Sequence, residues 1–565
     1  MKIILKEYLA SLRERGDLDK AVLPNLLSEL GLQVLNSPMI GTRQHGVDIA
    51  AVGKIKGRDT ERCLYLFCIK AGNVSRSEWD GSPQSVYAEL NEAREVYVPK
   101  LIAKEHAGLP IKICLCCGGE IEETVRINWA SYQENHATER LSFEEWNGDL
   151  LAEFMMQSLI ARELMTDEAR RNLQKAVAMV NEPEACYAYT RSFLGNLLSI
   201  PPEKKKEQLL ALRQAYIGLH TISAWAIEAD NLESVYRISE LGMLYCWHFL
   251  KDDIPTSPKA TKHQQALTLL LDQFVNLYLR LSEQYFLKSV YPLAEVLHGL
   301  SVSVRSRESV DVNLALFEIL GRLAIRGHWT AELADHNKEA NPEFAAMLVT
   351  MTEQSVDTMV RVINNNPTLT SPVRDEHMIE IAIVMRLAQL TGAENRLTPW
   401  LHSVCERTAF ALLSSGAYPI CSRDYADLLA HPVSKEQSYR DEVCSGSILY
   451  PYLYLWFVRL AQEDEVKEFV ERITRSIPNC THQAWMPDEQ TDAKIWIGDD
   501  EHGVAVTGLN PGLGEQEMLD LLNEALSACT NINTIGAFQA GLTSLFLTAC
   551  RHHRMPVPPV LWIAS

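Results

Sequence analysis

Near residue 150 the spacing of the apolar residues changes, and this change constrains the fold of the chain more than any other feature. Before it, short apolar runs alternate with helix-length patterns. After it, helix-length amphipathic patterns follow one another with few strand signals. At 565 residues the chain is too long for one compact core, since domains run ~100–200 residues. Three parts are expected: a mixed α/β domain over 1–150, a large all-α domain over 151–480, and a mixed segment over 481–565 packed on the helices. In the last part Trp485, Ala493 to Gly498 and Val504 to Val506 suggest a small strand-bearing insertion.

In the first part the spacing predicts a helix over 1–16, with Ile4, Leu5, Tyr8, Leu9 and Leu12 on one face, and a second from Asp19 to Leu30 capped by Gly31. Strands are predicted at Gln33–Leu35, Val47–Val52 and Leu64–Lys70, with a hairpin turn in Gly53–Thr60. A long helix over Ser82–Glu105, a buried strand Ile111–Cys117, a helix Ile121–Tyr132 and a short strand Leu141–Phe143 complete the order α-α-β-β-β-α-β-α-β. Later helical patterns cover Leu150–Val180, Lys204–Ala229, Gln264–Leu287, Asn313–Ile325, Met378–Leu390 and Ile448–Ile473. Two more cover Glu515–Ala528 and Ile535–Cys550, and Pro556–Trp562 reads as extended. No repeat with the ~34–47-residue period of a helical solenoid is present.

The formal net charge of −20 argues against a chain coated with phosphate-binding surface. Within this acidic chain, residues 40–76 carry a local basic excess: Arg43, Lys54, Lys56, Arg58, Arg62, Lys70 and Arg76 against Asp48, Asp59 and Glu61. That stretch suits either a phosphate ligand or a solvated hairpin. The 13 cysteines lack paired spacing, and Cys114, Cys116 and Cys117 sit in an apolar run, as small core residues do. Free thiols in this number suggest a reducing cytoplasm. The most apolar window, Ile448–Leu460, contains Pro451 and falls short of ~20 residues, so no membrane span is expected.

The stretches that carry chemistry are Arg43-Gln44-His45-Gly46-Val47-Asp48-Ile49 and Leu66-Phe67-Cys68-Ile69-Lys70. Side chains alternate along a strand, so Cys68 and Lys70 share one face, and an adjacent antiparallel strand would bring Asp48 to it. A metal-dependent phosphodiesterase needs such a set: a carboxylate for the divalent ion, a second ligand, and a lysine for the nucleophilic water or the developing charge.

This layout resembles the PD-(D/E)XK superfamily, the fold of restriction endonucleases, and in particular its Mrr-like branch. The resemblance covers about residues 15–150. It implies an α/β restriction-endonuclease-like domain ahead of the large all-α domain and its small strand-bearing C-terminal insertion. It also implies Asp48 as metal-binding acid, Lys70 as catalytic lysine, and Mg²⁺ or Mn²⁺ as cofactor. The pattern breaks at Cys68, where a carboxylate is usual; a thiol is a poor ligand for so hard an ion. By family layout Asp19 and Glu29 are the acids that would compensate. His45 would assist a water, or be a simple exposed loop residue. Gln84 and Tyr87 stand near a Gln–Tyr pair of exonuclease relatives but at the wrong spacing, and read as helix surface and core.

Other chemistries find no support. The chain has no Gly-x-x-x-x-Gly-Lys-Ser/Thr loop, no Gly-x-Ser-x-Gly and no His-Glu-x-x-His, and the Gly508–Gly514 loop lacks the phosphate-binding lysine. The expectation is a metal-dependent DNA endonuclease of bacterial restriction or anti-phage defence. DNA would bind the N-terminal domain, and the helical domain would dock a protein partner or a second copy. The alternative is a catalytically inactive nuclease fold that works as a protein-interaction scaffold or sensor.

Overall fold

The computed structural model describes residues 5–6, 9–10, 18–36, 45–82, 85–160, 166–200, 204–254, 261–414, 416–499 and 501–563. Most of the expected first helix, with Arg43 and Gln84, lies outside these. The chain divides into two compact units, one of residues 1–242 with 272–274 and one of the remainder.

The first unit is built on a five-stranded sheet. Its strands are β1 (Leu32–Val34), β2 (Ile49–Gly53), β3 (Cys63–Lys70), β4 (Ile111–Cys117) and β5 (Leu141–Trp146), in that spatial order. β1–β2 and β2–β3 pair antiparallel, while β3–β4 and β4–β5 pair parallel. The antiparallel pairs need only turns. In the β2–β3 hairpin, Asp59 accepts from the Ile55 N–H and the Tyr65 hydroxyl, both at 2.6 Å. Parallel pairs need a crossover, supplied by α2 (Arg76–Asp80) and α3 (Val86–Glu92) between β3 and β4, and by α4 (Glu123–His136) between β4 and β5. The expected helix over Ser82–Glu105 is broken: α3 runs into a π-helical turn, Ala93–Tyr97, and then a short helical stretch, Val98–Lys100.

All eight residues of β3 are buried, as a central strand covered on both faces requires. Leu64, Leu66 and Cys68 join a core with Trp79, Val86, Leu90, Trp129 and Tyr132 from the crossover helices. On the other face Phe67 packs edge-on against Trp146, centroids 4.9 Å apart, and Trp146 meets Phe154 of α5 (Gly148–Ile160). The remaining helices of the unit include α1 (Leu23–Glu29) ahead of the sheet and α6 (Asp167–Ala178), α7 (Pro183–Leu197) and α8 (Lys205–Glu228) after it.

The second unit is mainly helical. Its longest helix, α9 (Ser309–Asn337), packs against α10 (Pro342–Asn365), α11 (Met378–Thr391) and α15 (Thr543–His552). Asn341 caps α10, accepting from the Phe344 N–H at 3.2 Å, with Pro342 at its first position. The single helix expected over Ile448–Ile473 is two, α13 (Leu449–Leu460) and α14 (Glu463–Ser476); α12 (Glu394–Leu413) precedes them. A small sheet joins β6 (Gly446–Ser447), β7 (Thr481–Met486) and β8 (Val504–Thr507). The strand expected at Ala493–Gly498 is instead the end of a helical turn, Thr491–Lys494, and following turns, because Trp496 buries its ring while its Nε1–H reaches back one turn to Asp492. The helix expected over Ile535–Cys550 breaks at Gly541, and Pro559–Leu561 forms a 3₁₀ turn rather than an extended strand. Among the described residues no helix is long and apolar enough to cross a membrane.

Candidate active site at the end of the central strand

β3 ends in Lys70, and burying its ammonium requires a partner. That partner is Glu89 of α3: Nζ donates to Oε1 at 2.9 Å, with the two side chains only 10% and 13% exposed. Glu89 lies on the stripe Val86, Leu90, Ala93 that α3 turns toward the sheet, so its carboxylate is held against the strand end rather than in solvent.

Asp48 lies just before β2. Its N–H donates to the Phe67 carbonyl at 2.8 Å, and its Oδ2 accepts from the Ile69 N–H at 2.7 Å. The register Ile49↔Phe67 carries on to set Asp48 opposite Cys68. Asp48 and Lys70 are thus brought to one end of β2 and β3, each 8% exposed. Cys68 lies two residues before Lys70 on β3, fully buried, and its Sγ–H donates to the Gly46 carbonyl at 2.7 Å. A thiol committed to a carbonyl in this way is not a ligand for a hard cation.

The loop before Asp48 is clamped onto α3. Gly46 has φ +77°, and a Cβ there would stand 2.0 Å from the Glu89 carbonyl oxygen. Only glycine lets the loop and helix approach so closely. Its neighbour His45 also adopts a left-handed conformation, φ 51°, and its Nδ1 lies 3.3 Å from Oε1 of Glu92, one turn beyond Glu89. His45 is therefore half-buried and partnered rather than a free loop side chain.

Among the described residues, no group of three ligand atoms within 4.8 Å of one another includes Asp48 or the two compensating acids expected from the family layout, Asp19 and Glu29. Glu29, at the end of α1, is fully buried with Oε1 4.0 Å from Nη1 of Arg213 on α8. Asp19 is buried in a π-helical turn before α1. Among the described residues, only His402, Glu406 and Glu465 bring three ligand atoms within 4.8 Å of one another. Tyr87, expected in the core, is 46% exposed and leans on Trp79 and Tyr132.

Part of the local basic excess is held by partners within the unit. Arg58 donates to Glu144 at 3.0 Å, Lys70 to Glu89, Arg76 meets Asp80 at 2.9 Å, and Lys54 donates to the Thr60 carbonyl. At the far end of β3, Lys112 bridges Asp59 (2.8 Å) and Glu144 (2.7 Å); burial opposes the Asp59 charge, but Lys112, Tyr65 and the Ile55 N–H outweigh it and hold its pKa below the usual carboxylate value. Burial pushes the thiols of Cys114 and Cys116 well up and that of Cys117 up to about 12, which keeps all three protonated core residues.

Carboxylates are the donors that a divalent ion would need at this strand end. Mg²⁺ is commonly held by one or two carboxylates with water and substrate phosphate oxygens completing its shell. Asp48 and Glu89 each bring a carboxylate to this strand end, Glu89 on Lys70 Nζ and Asp48 on the Ile69 N–H. Glu89 is the residue sequence reasoning missed, although a charged residue on the apolar stripe of a helix was its visible signal. Comparison with protein-family models, with curated proteins and with solved structures gave no match to this chain.

Proposed function

We propose that the first unit is a metal-dependent DNA endonuclease in which Glu89 stands in for the carboxylate absent at position 68. The single observation that carries this reading is the Lys70–Glu89 pair at the end of a central strand, with Asp48 hydrogen-bonded to the peptide N–H that precedes Lys70. Asp48 and Glu89 would hold Mg²⁺ or Mn²⁺, which supplies Lewis-acid polarisation of a phosphate and lowers the pKa of a bound water. Lys70 would place a fixed positive charge beside the oxygens on which negative charge develops at the pentacoordinate phosphorus. Glu89 keeps that ammonium oriented, and the β3 backbone keeps Asp48 in register with it.

Plasmid cleavage in Mg²⁺ tests the reading. The wild type is expected to nick or linearise DNA, and Asp48→Ala, Lys70→Ala and Glu89→Gln each to lose about 10²-fold or more of the rate, as loss of a metal ligand or a charge-stabilising group does. Cleavage unaffected by all three, or by chelation of the metal, rejects it.

One observation favours a second reading. The buried Cys68 thiol occupies the position of the usual acid and is satisfied by Gly46. In that reading the nuclease fold is catalytically inactive, and the helical unit is the working part, docking a protein or a second copy. Wild-type protein that cuts no DNA with any divalent ion, yet keeps its cellular activity in Asp48→Ala, is the result this reading expects.

A further inference from the structure

The second unit contains a cavity of about 360 Å³ whose wall is unusually rich in charge for a helical core. Asp311, Phe317 and Glu318 reach it from α9, Arg374 and His377 from the segment ahead of α11, Glu380 from α11, and Arg554 from the turn after α15. Such charges are expensive to hold away from water, and replacing them with apolar groups is often neutral or stabilising, so their presence here asks for a use.

Most of them are committed to one another. Arg554, in a left-handed conformation at φ 58°, points Nη1 at Glu380 Oε1, Nη2 at Glu380 Oε2 and the Glu376 carbonyl, and Nε at Glu376 Oε2. Arg322 and Arg551 both donate to Oε1 of Glu318. Gly321 keeps this arrangement open, since a Cβ there would lie 2.8 Å from Cγ of Glu380 and 3.1 Å from Cδ of Arg551.

Two donors or acceptors are left over. The His377 ring is 2% exposed and stacked on Phe317, centroids 4.0 Å apart and planes 10° from parallel, yet its Nδ1 has no hydrogen-bond partner. Beside it Arg374 spends Nη2 on the Arg423 carbonyl at 2.8 Å, while its buried Nε–H has no acceptor. Both residues line the cavity, three positions apart in the segment ahead of α11. On the α9 wall stand two carboxylates two turns apart. Glu318 remains a third exposed, and Asp311 accepts from Ser306 and from the exposed Tyr425 hydroxyl. Leu314, Ala315 and Phe317 give the same wall an apolar surface.

We infer that this cavity binds a small zwitterion of the α-amino-acid class, its carboxylate on Arg374 and His377, its ammonium on Glu318 and Asp311, and its side chain against the apolar strip of α9. A purely anionic ligand would meet Asp311 and Glu318, and a purely cationic one would meet Arg374. Only a ligand carrying both signs complements both walls.

The test is thermal unfolding of the full chain with each proteinogenic amino acid at millimolar concentration, followed by calorimetric titration of any that stabilise. Inorganic phosphate and methylamine serve as single-charge controls. At least one amino acid is expected to raise Tm in a concentration-dependent way. His377→Phe, which keeps the stack on Phe317, and Arg374→Met are each expected to weaken binding about tenfold or more. Asp311 is partly exposed and stands outside the Arg554–Glu380–Glu318 network, so Asp311→Asn leaves that network intact and should weaken binding likewise, and the test survives if Arg374→Met does not fold. No stabilisation by any amino acid overturns the inference. So does binding unchanged in all three variants, or phosphate or methylamine alone binding as tightly as the amino acid.

Discussion

Lys70 Nζ and Glu89 Oε1 are 2.9 Å apart, joining the last residue of the central strand to the middle of the helix that crosses over it. Removing one half of a buried ion pair costs more than removing both, because the survivor keeps its desolvation penalty. Lys70→Met and Glu89→Leu are each expected to destabilise the first unit by about 3 kcal/mol, and the double variant to regain most of that loss. Urea unfolding of the four proteins checks this. Additive losses would mean that the two charges do not act as a pair, whatever the cleavage assay shows.

Gly46→Ala should be among the most damaging small substitutions in the chain. The added Cβ meets the Glu89 carbonyl at 2.0 Å and sits on a backbone with φ +77°. A loss of about 3 kcal/mol or more is expected, with any cleavage activity falling because the loop before Asp48 is displaced from α3. A melting temperature equal to that of the wild type would falsify the clamp.

Glu332 of α9 gives the second unit a pH dependence near neutrality. Its Oε2 accepts from the Ser544 N–H at 3.0 Å, and burial pushes its pKa up to about 7. The folded pKa lies above the unfolded one, so the stability linked to this proton is fully present below about 4.5 and is lost as pH rises through about 7. Glu332→Gln keeps the acceptor without the charge. It should match the wild type near pH 4.5 and exceed it by on the order of 3 kcal/mol at pH 8. Denaturant melts at the two pH values decide; an equal difference at both would remove Glu332 as the cause.

Thiol titration offers a check on the packing of the whole chain. Ten of the thirteen cysteines are buried, Cys480 and Cys529 are partly covered, and Cys421 is exposed. An aromatic disulfide reagent should therefore react quickly with one thiol, more slowly with two, and with all thirteen only after unfolding. Rapid reaction at Cys68 in native protein would mean that its contact with Gly46 opens readily.

Much of the first unit was legible from residue order. β3 reads as a buried strand because Leu64 to Ile69 form an unbroken apolar run, and Asp48 and Lys70 were legible because strand alternation and pairing bring them to one strand end. Glu89 was not, because carboxylates on crossover helices are common and only its place on the Val86–Leu90–Ala93 stripe marks it out. The Arg213 beside Glu29 was not legible either, because it is 184 positions away in the chain. The break in Ile448–Ile473 was hidden because both halves keep apolar residues in helical phase, although Gln462 caps the second half with Glu465 three residues on. The cavity was illegible altogether. Its wall gathers residues from three separated segments, and no local pattern announces that Arg374, His377 and Arg554 line one cavity.

The π-helical turn Ala93–Tyr97 begins one residue after Glu92 and four after Glu89. Such a turn holds one more residue than the α-helix around it would need. Deleting a single residue there, for instance Val96, should shorten the chain without rotating the two glutamates about the helix axis or shifting Pro99 and the residues beyond it. Insertions and deletions within the helix Val86–Glu92 would instead move one side or the other by about 100°. The helical part of the crossover thus contains a place where its length can drift while the strand end stays in phase.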